Sequence, residues 1–461
     1  MAVIAEARAG CAQVGTREGT RRWNGPVRKA AATQPGEGER GETERTQAGR
    51  TRTEGTAPEP AATTGSDGAP HAEDEATEKP QAPPGEAPPR DPRTENPSPG
   101  NPGAQDPPAQ DPPSPHPRSP HPPKKPRRRL RWTRRCVPAL VLLLLLPLLG
   151  TQIALRLNYT GDYADGTRTR GKDALWLGHA WVDGRKKDAD VTALAARLKD
   201  TGIRDLYVHT GPMEHDGTLP ADRCPRARWF IDAVHRALPG VRVQAWLGDE
   251  LATEKPDGMR LELSGTRAAV LRTTRQVLDT GFDGAHFDLE PLHSGDGHYL
   301  DLLDALHRET AARDVPLSVA AHQIDPLPGL HSVVGAFTGH PKWWSQEFFG
   351  QVARRVDQIA VMSYDTMQFW QSTYGGYVAQ QTSLALEVTP DSTDLLMGLP
   401  FYHENTPSHR AGAETVPAAV RGVRLGLSRT DAGRANFGVA LYVDFAATED
   451  DWTAYRTGWV K

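Results

Sequence analysis

A (β/α)8 barrel, the TIM barrel, is the fold that residues 173–461 predict, and three observations lead to it. Eight apolar strand-like runs alternate with amphipathic helix-like stretches over about 290 residues, the order and size of such a barrel. Nearly every run ends in an ionisable or amide residue, as expected where a site is built at the C-terminal ends of the strands. The first run leads into His179-Ala-Trp-Val-Asp-Gly184, which is not the glycine-rich phosphate turn that an open doubly wound sheet would carry.

The strand candidates are 174–182, 205–210, 241–247, 284–290, 317–322, 358–364, 395–401 and 439–445. Helical periodicity separates them at 189–199, 227–238, 266–278, 297–313, 345–356, 377–386 and 415–426. The strand ends then deliver Asp183, His209, Asp249, Glu290, His322 with Gln323, Asp365, His403 with Glu404, and Asp444 to one rim. Trp176, Trp181, Trp246, Tyr364, Phe401, Tyr402 and Tyr442 lie at the same level. Flat aromatic faces beside carboxylates and amides suit a sugar ring, which has apolar faces and a polar edge. For any one of these aromatics, packing in the barrel core is the competing reading.

The chain before the barrel divides into four parts. Residues 1–123 are rich in Pro, Gly, Glu, Thr, Ala and Arg, with Gln-Asp-Pro-Pro at 105–108 and again at 110–113. Such a stretch cannot bury enough apolar surface to offset its ordering entropy and is expected to be disordered. Residues 124–135 form a basic block, and 136–155 an apolar run of roughly 20 residues, enough to span a hydrocarbon core. A cationic flank before an apolar run predicts a single-pass anchor in the cell membrane, N-terminus cytoplasmic and C-terminal domain extracytoplasmic, with the bilayer as partner. A cleaved signal peptide is the alternative, although its apolar core is usually shorter, and a nucleic-acid role for the basic block is disfavoured. Residues 156–172 would be a linker. Of the three cysteines, Cys11, Cys136 and Cys224, one lies in the barrel region, so no disulfide framework is expected there.

The most informative run is 281–291, Gly-Phe-Asp-Gly-Ala-His-Phe-Asp-Leu-Glu-Pro. Strand alternation puts Gly284, His286, Asp288 and Glu290 on one side and Ala285, Phe287 and Leu289 on the other. Ionisable groups stacked on one side are costly to bury, so that side is expected to border a site; a buried ion-pair cluster that merely holds the barrel is the competing reading.

This run resembles the signature of glycoside hydrolase family 18, the chitinases and endo-N-acetylglucosaminidases, which reads Asp-Gly-x-Asp-x-Asp-x-Glu on the fourth strand of a TIM barrel. Asp283, Gly284, Asp288 and Glu290 match it, and His286 stands where the family has an Asp. Met362-Ser363-Tyr364-Asp365 resembles the family's Met-x-Tyr-Asp on the sixth strand. The resemblance implies a divergent member that cleaves N-acetylhexosamine-containing glycan with retention, the substrate's own acetamido oxygen serving as nucleophile. It implies Glu290 as proton donor, Asp288 on the acetamido nitrogen, Tyr364 on its oxygen and Asp365 on a sugar hydroxyl. A histidine at 286 could be a cation beneath Asp288 and would hold that carboxylate ionised. Tyr442 stands roughly where the family keeps a Trp beneath the −1 sugar. His286, Trp181, Trp246, Asp249, His322, Gln323, Tyr402, Glu404 and Tyr442 complete the expected substrate-binding set. No cofactor or metal is expected, since no His-x-His or His-Glu-x-x-His spacing occurs. A non-catalytic glycan-binding barrel, and a barrel hydrolase of another class assisted by a metal on His209, Asp249, His322 and Asp365, are the alternatives.

Overall fold

The computed structural model describes residues 129–253, 256–338 and 342–461, with side chains described except at 129–140, 142–144, 333–334 and 337–338. The segment expected to be disordered, 1–123, lies outside the described residues, as do residues 124–128 of the basic block. Eight parallel strands close in sequential order: β1 Asp173–Leu177, β2 Ile203–Pro212, β3 Arg242–Glu250, β4 Gly284–Glu290, β5 Leu317–Ala321, β6 Gln358–Val361, β7 Asp394–Pro400 and β8 Phe437–Tyr442. Around them run α1 Asp188–Leu198, α2 Ala227–Ala237, α3 Ser264–Thr280, α4 Gly297–Ala311, α5 Gln346–Ala353, α6 Gln371–Val388, α7 Val416–Thr430 and α8 Glu449–Tyr455. The barrel expected from the sequence is present, and β4 has the expected bounds. The short α8, begun by a capping box between Thr448 and Asp451, escaped the reading because seven residues carry too few turns to show periodicity. Between β5 and β6 an extra helix, Leu330–Thr338, and a two-stranded ladder of Gln323–Ile324 with Trp343–Trp344 extend the rim.

Entry into β4 is set by glycine and by an aspartate. Gly281 ends α3 with φ 110°, a left-handed conformation open to a residue without Cβ. Asp283 then accepts from Val243 N–H at 2.7 Å and contacts His235 Nε2 at 2.8 Å, tying the start of β4 to β3. The pairing puts Trp246 beside His286, Gly248 beside Asp288 and Glu250 beside Glu290. Ala285, Phe287 and Leu289 point outward and are buried among the core apolar residues. With parity set this way, the polar members of β4 all enter the barrel.

The barrel interior is polar in layers. At its base Arg242 donates to both oxygens of Asp205 at 2.7 and 2.9 Å, and Gln244 and Gln358 donate to the same carboxylate. Burial pushes the Asp205 carboxyl up, but the Arg242 guanidinium outweighs it and holds it below the ordinary range. Above it, His286 stacks on Tyr207 with ring centroids 3.7 Å apart and 9° between planes. Polar side chains buried this deeply are stable because almost all have partners.

A helix spanning Arg129–Asn158 precedes the barrel and contains the run expected to cross a membrane. Among the described residues no helix is long and apolar enough to do so. The described part is interrupted by Gly150, Thr151, Gln152 and Arg156, and the side chains of 136–140 and 142–144 lie outside the described set. The helix runs on to Asn158, whose Nδ2 donates to Gly376 O at 2.7 Å, while Arg429 donates to Asn158 O and Oδ1 at 2.7 Å each. Gly375 and Gly376 of α6 permit this approach, since a Cβ on Gly376 would stand 1.8 Å from Leu155 O.

Gly376→Ala should therefore overpack this junction, a change that destabilises by about 1–3 kcal/mol. Hydrogen exchange is expected to quicken at residues 155–161, with protection in the barrel strands unchanged.

Candidate active site

Strand parity carries Asp288 and Glu290 from β4 to the C-terminal end of the barrel, where the extension of β6 brings Tyr364 and Asp365. These four line one cavity of about 250 Å³ together with His322, Gln323, Tyr402, Glu404 and Tyr442, all from the expected set, and with Trp176, Lys342 and His403. Tyr364 and Tyr442 stack at 5.2 Å and 25°, and Trp176 meets Tyr442 edge-on at 5.6 Å, forming an aromatic floor.

Asp288 lies above that floor with 7% of its surface exposed. Trp246 Nε1 donates to its Oδ2 at 3.1 Å, while Oδ1 is buried without a hydrogen-bond partner. Burial, and after it the charge of Glu290, push the Asp288 carboxyl up to about 7. Glu290 is the more open of the two, with Oε1 3.6 Å from His322 Nε2. Gly248 gives Asp288 its room: a Cβ there would lie 3.2 Å from Asp288 O.

Gln323 acts as a strap rather than as a free sugar-binding amide. Its Nε2 donates to Met362 O at 3.0 Å and Tyr364 O at 2.5 Å, and its Oε1 accepts from Tyr377 OH at 2.8 Å. The motif's backbone is thus held to the ladder at the rim. Asp365 accepts from Tyr402 OH at 2.6 Å. Burial favours its protonated form, but contacts from His409 and Tyr402 outweigh that and hold the carboxyl below its usual range.

Four expected members do not reach the cavity. His286 sits one layer below: Trp176 Nε1 donates to its Nε2 at 3.0 Å, so Nδ1, 2.7 Å from Ser318 Oγ, carries the proton of a neutral ring. Burial pulls its pKa down to about 3, so the expected cation under Asp288 is absent, and Asp288 is pushed up rather than held ionised. Trp246 supports Asp288 from within the barrel wall. Trp181 packs on Phe230 at 5.3 Å and donates to Asp444 Oδ2 at 2.8 Å. Asp249 is fully buried and meets His215 Nδ1 at 2.9 Å, because alternation puts Glu250, not Asp249, on the side of Trp246.

Lys342 was missed, as it lies on the rim connection where no periodicity marks it; its Nζ donates to Asp365 O at 2.8 Å. His409 and Glu414, in the segment after β7, were missed for the same reason. Among the described residues, Asp365, His409 and Glu414 are the group whose ligand atoms lie close enough together, within 4.8 Å, to hold a metal ion. Lys342 Nζ lies beside this group on the main-chain oxygen of Asp365, and His409 Nδ1 lies 3.3 Å from each of the two carboxylates. The quartet of the metal-assisted alternative, His209, Asp249, His322 and Asp365, does not gather at any such point among the described residues.

No family model matches the chain, and no curated protein does. Similar solved structures include a class V chitinase from Pseudomonas fluorescens Pf-5, with 12% identity, a TM-score of 0.41, and 62% of this chain and 98% of that chain covered. The Bacillus megaterium QM B1551 spore cortex-lytic enzyme SleL aligns at 12% identity and TM-score 0.45 over 63% of this chain and 75% of that one. The Ostrinia furnacalis Group IV chitinase aligns at 14% and 0.42, over 63% and 99%. The barrel assignment itself rests on the strand order.

The raised Asp288 carboxyl has a consequence for stability. Its folded value, about 7, exceeds the ordinary 3.8, so the fold favours the protonated form and loses stability as pH rises from about 4 through 7. Asp288→Asn cannot ionise. The melting temperature of the variant minus that of the wild type should grow across this window and level off above it.

Proposed function

We propose that this protein is a glycoside hydrolase that cleaves N-acetylhexosamine-containing glycan with retention, the substrate's acetamido oxygen acting as nucleophile. The observation that carries the reading is Asp288: a buried carboxyl, one oxygen held by Trp246 and the other unpartnered, in a cavity shared with Glu290 and Tyr364. An unpartnered acceptor of this kind fits an acetamido N–H. In this reading Tyr364, its ring stacked on Tyr442, directs the acetamido oxygen at the anomeric carbon. Glu290 gives its proton to the leaving oxygen as the glycosidic bond breaks, and the acetamido oxygen bonds to the anomeric carbon. Asp288 stabilises the positive charge that develops on the ring so formed. Glu290, now ionised, takes a proton from the water that reopens the ring, restoring the original configuration. Asp365 takes a sugar hydroxyl, and the floor of Trp176 and Tyr442 covers an apolar sugar face.

The reading includes attachment to the cell membrane through 136–155, with the barrel outside the cell. It is supported by the basic block that precedes the apolar run and by the exposure of Leu145, Leu146, Leu148, Leu149 and Ile153, each at least half exposed. Apolar side chains in such number are costly to leave in water.

Glu290→Gln should lower turnover of an aryl N-acetyl-chitobioside by about 10²-fold or more, since the proton donor is lost, while glycan binding persists. Activity within a few-fold of wild type would remove Glu290 from this role.

Protease added to intact cells is expected to digest the chain beyond residue 158 and spare an epitope placed before the basic block. Digestion of the epitope with the barrel protected would reverse the orientation.

A further inference from the structure

The turn that leaves β6 carries Tyr364 and Asp365 into the cavity in a backbone conformation that side chains rarely adopt. Asp365 has φ 56° and Met367 φ 62°, both left-handed, so the turn must be held by its surroundings. The segment after β7 does this. Glu414 Oε1 accepts from Thr366 N–H at 2.9 Å and from Thr366 Oγ1 at 3.1 Å, and Ser408 O accepts from Met367 N–H at 2.8 Å.

Between the two segments lies His409, fully buried. Its Nδ1 is 3.3 Å from Asp365 Oδ1 and 3.3 Å from Glu414 Oε2, aligned as a hydrogen bond with neither. An imidazole so placed serves the two carboxylates best as a charge. The Tyr402 ring lies 4.2 Å from the imidazole, within the range at which an aromatic ring attracts a cation, and its hydroxyl donates to Asp365. The other cations nearby are engaged elsewhere: Lys342 Nζ donates to the main-chain oxygen of Asp365, and Arg410 lies over Phe369 at 4.2 Å.

We propose that His409, as an imidazolium bridging Asp365 and Glu414, is the positioning residue that holds the Tyr364–Asp365–Thr366 turn in its substrate-binding geometry. The role in turnover rests on the reading of Tyr364 and Asp365 as substrate contacts; the charge state does not. Burial alone would pull the His409 pKa down, but the contacts and charges of Asp365 and Glu414 outweigh it and raise it to about 9. Its folded value lies above the ordinary 6.5, so the bridge contributes fully below about pH 6.5 and is lost as pH rises through about 9. A divalent ion at the same three residues would require a neutral imidazole and would add its charge beside Lys342.

Long-range proton–nitrogen correlation of the histidine rings in the full chain tests the charge, with His409→Gln identifying the signal. Both ring nitrogens should be protonated at pH 7.5, with a midpoint near 9 that falls by about one unit or more in Glu414→Gln, as expected when a neighbouring opposite charge is removed. A neutral ring at pH 7.5, or a stoichiometric divalent ion lost to chelator, overturns the proposal. His409→Gln should also lower kcat/KM on the N-acetylated substrate about tenfold or more, and an unchanged value overturns the positioning role. Should wild type turn over no glycan, the hydrolase reading fails while the ring titration still decides the bridge.

Discussion

The structure depends on keeping a polar barrel interior hydrogen-bonded from base to rim. An unpartnered polar group in such a place costs about 1–3 kcal/mol, so each layer must bring its own donors and acceptors. Arg242, Gln244 and Gln358 satisfy Asp205 at the base; Trp176, Ser318 and Tyr207 enclose His286 in the middle. At the base Gln244 Oε1 has no partner, and at the top Asp288 likewise retains one oxygen without a partner. The column that stabilises the barrel and the site that would bind a ligand are thus one continuous arrangement.

This arrangement accounts for the histidine at 286. With a tryptophan donating to one nitrogen and a serine hydroxyl beside the other, a neutral ring completes the middle layer without a charge. A carboxylate there would have to lose its charge or find a cation, and the guanidinium at the barrel base, Arg242, is already committed to Asp205. The layer stays neutral and adds no charge beneath Asp288 and Glu290.

The rim is assembled by a different device. The barrel fixes Asp288 and Glu290 through backbone pairing, whereas Tyr364 and Asp365 lie beyond the end of β6 and are held by side chains. Gln323 straps their backbone from one side, and Glu414 with Ser408 holds it from the other. Precision in this half of the cavity depends on the segments after β5 and β7, which the helices behind them anchor. The preceding helix, docked through Gly375 and Gly376, belongs to the same support, because it packs on the first turns of α6, close behind that rim.

The sequence by itself determined the barrel, the bounds of β4 and the identity of Asp288, Glu290, Tyr364 and Asp365 as neighbours in one site. Alternation along a strand and the alternation of strands with helices are local properties, and local properties are written residue by residue. Parity decided more than the strand end did: position at the end of β3 points to Asp249 as a rim group, yet its side chain belongs to the outward series and Glu250 to the inward one. The charge of His286, the supporting role of Trp246 and Gln323, and the presence of Lys342, His409 and Glu414 were settled by tertiary structure alone. Each depends on which atoms from distant segments meet at hydrogen-bonding range, and on how much water the fold leaves there, quantities with no period along the chain to record them.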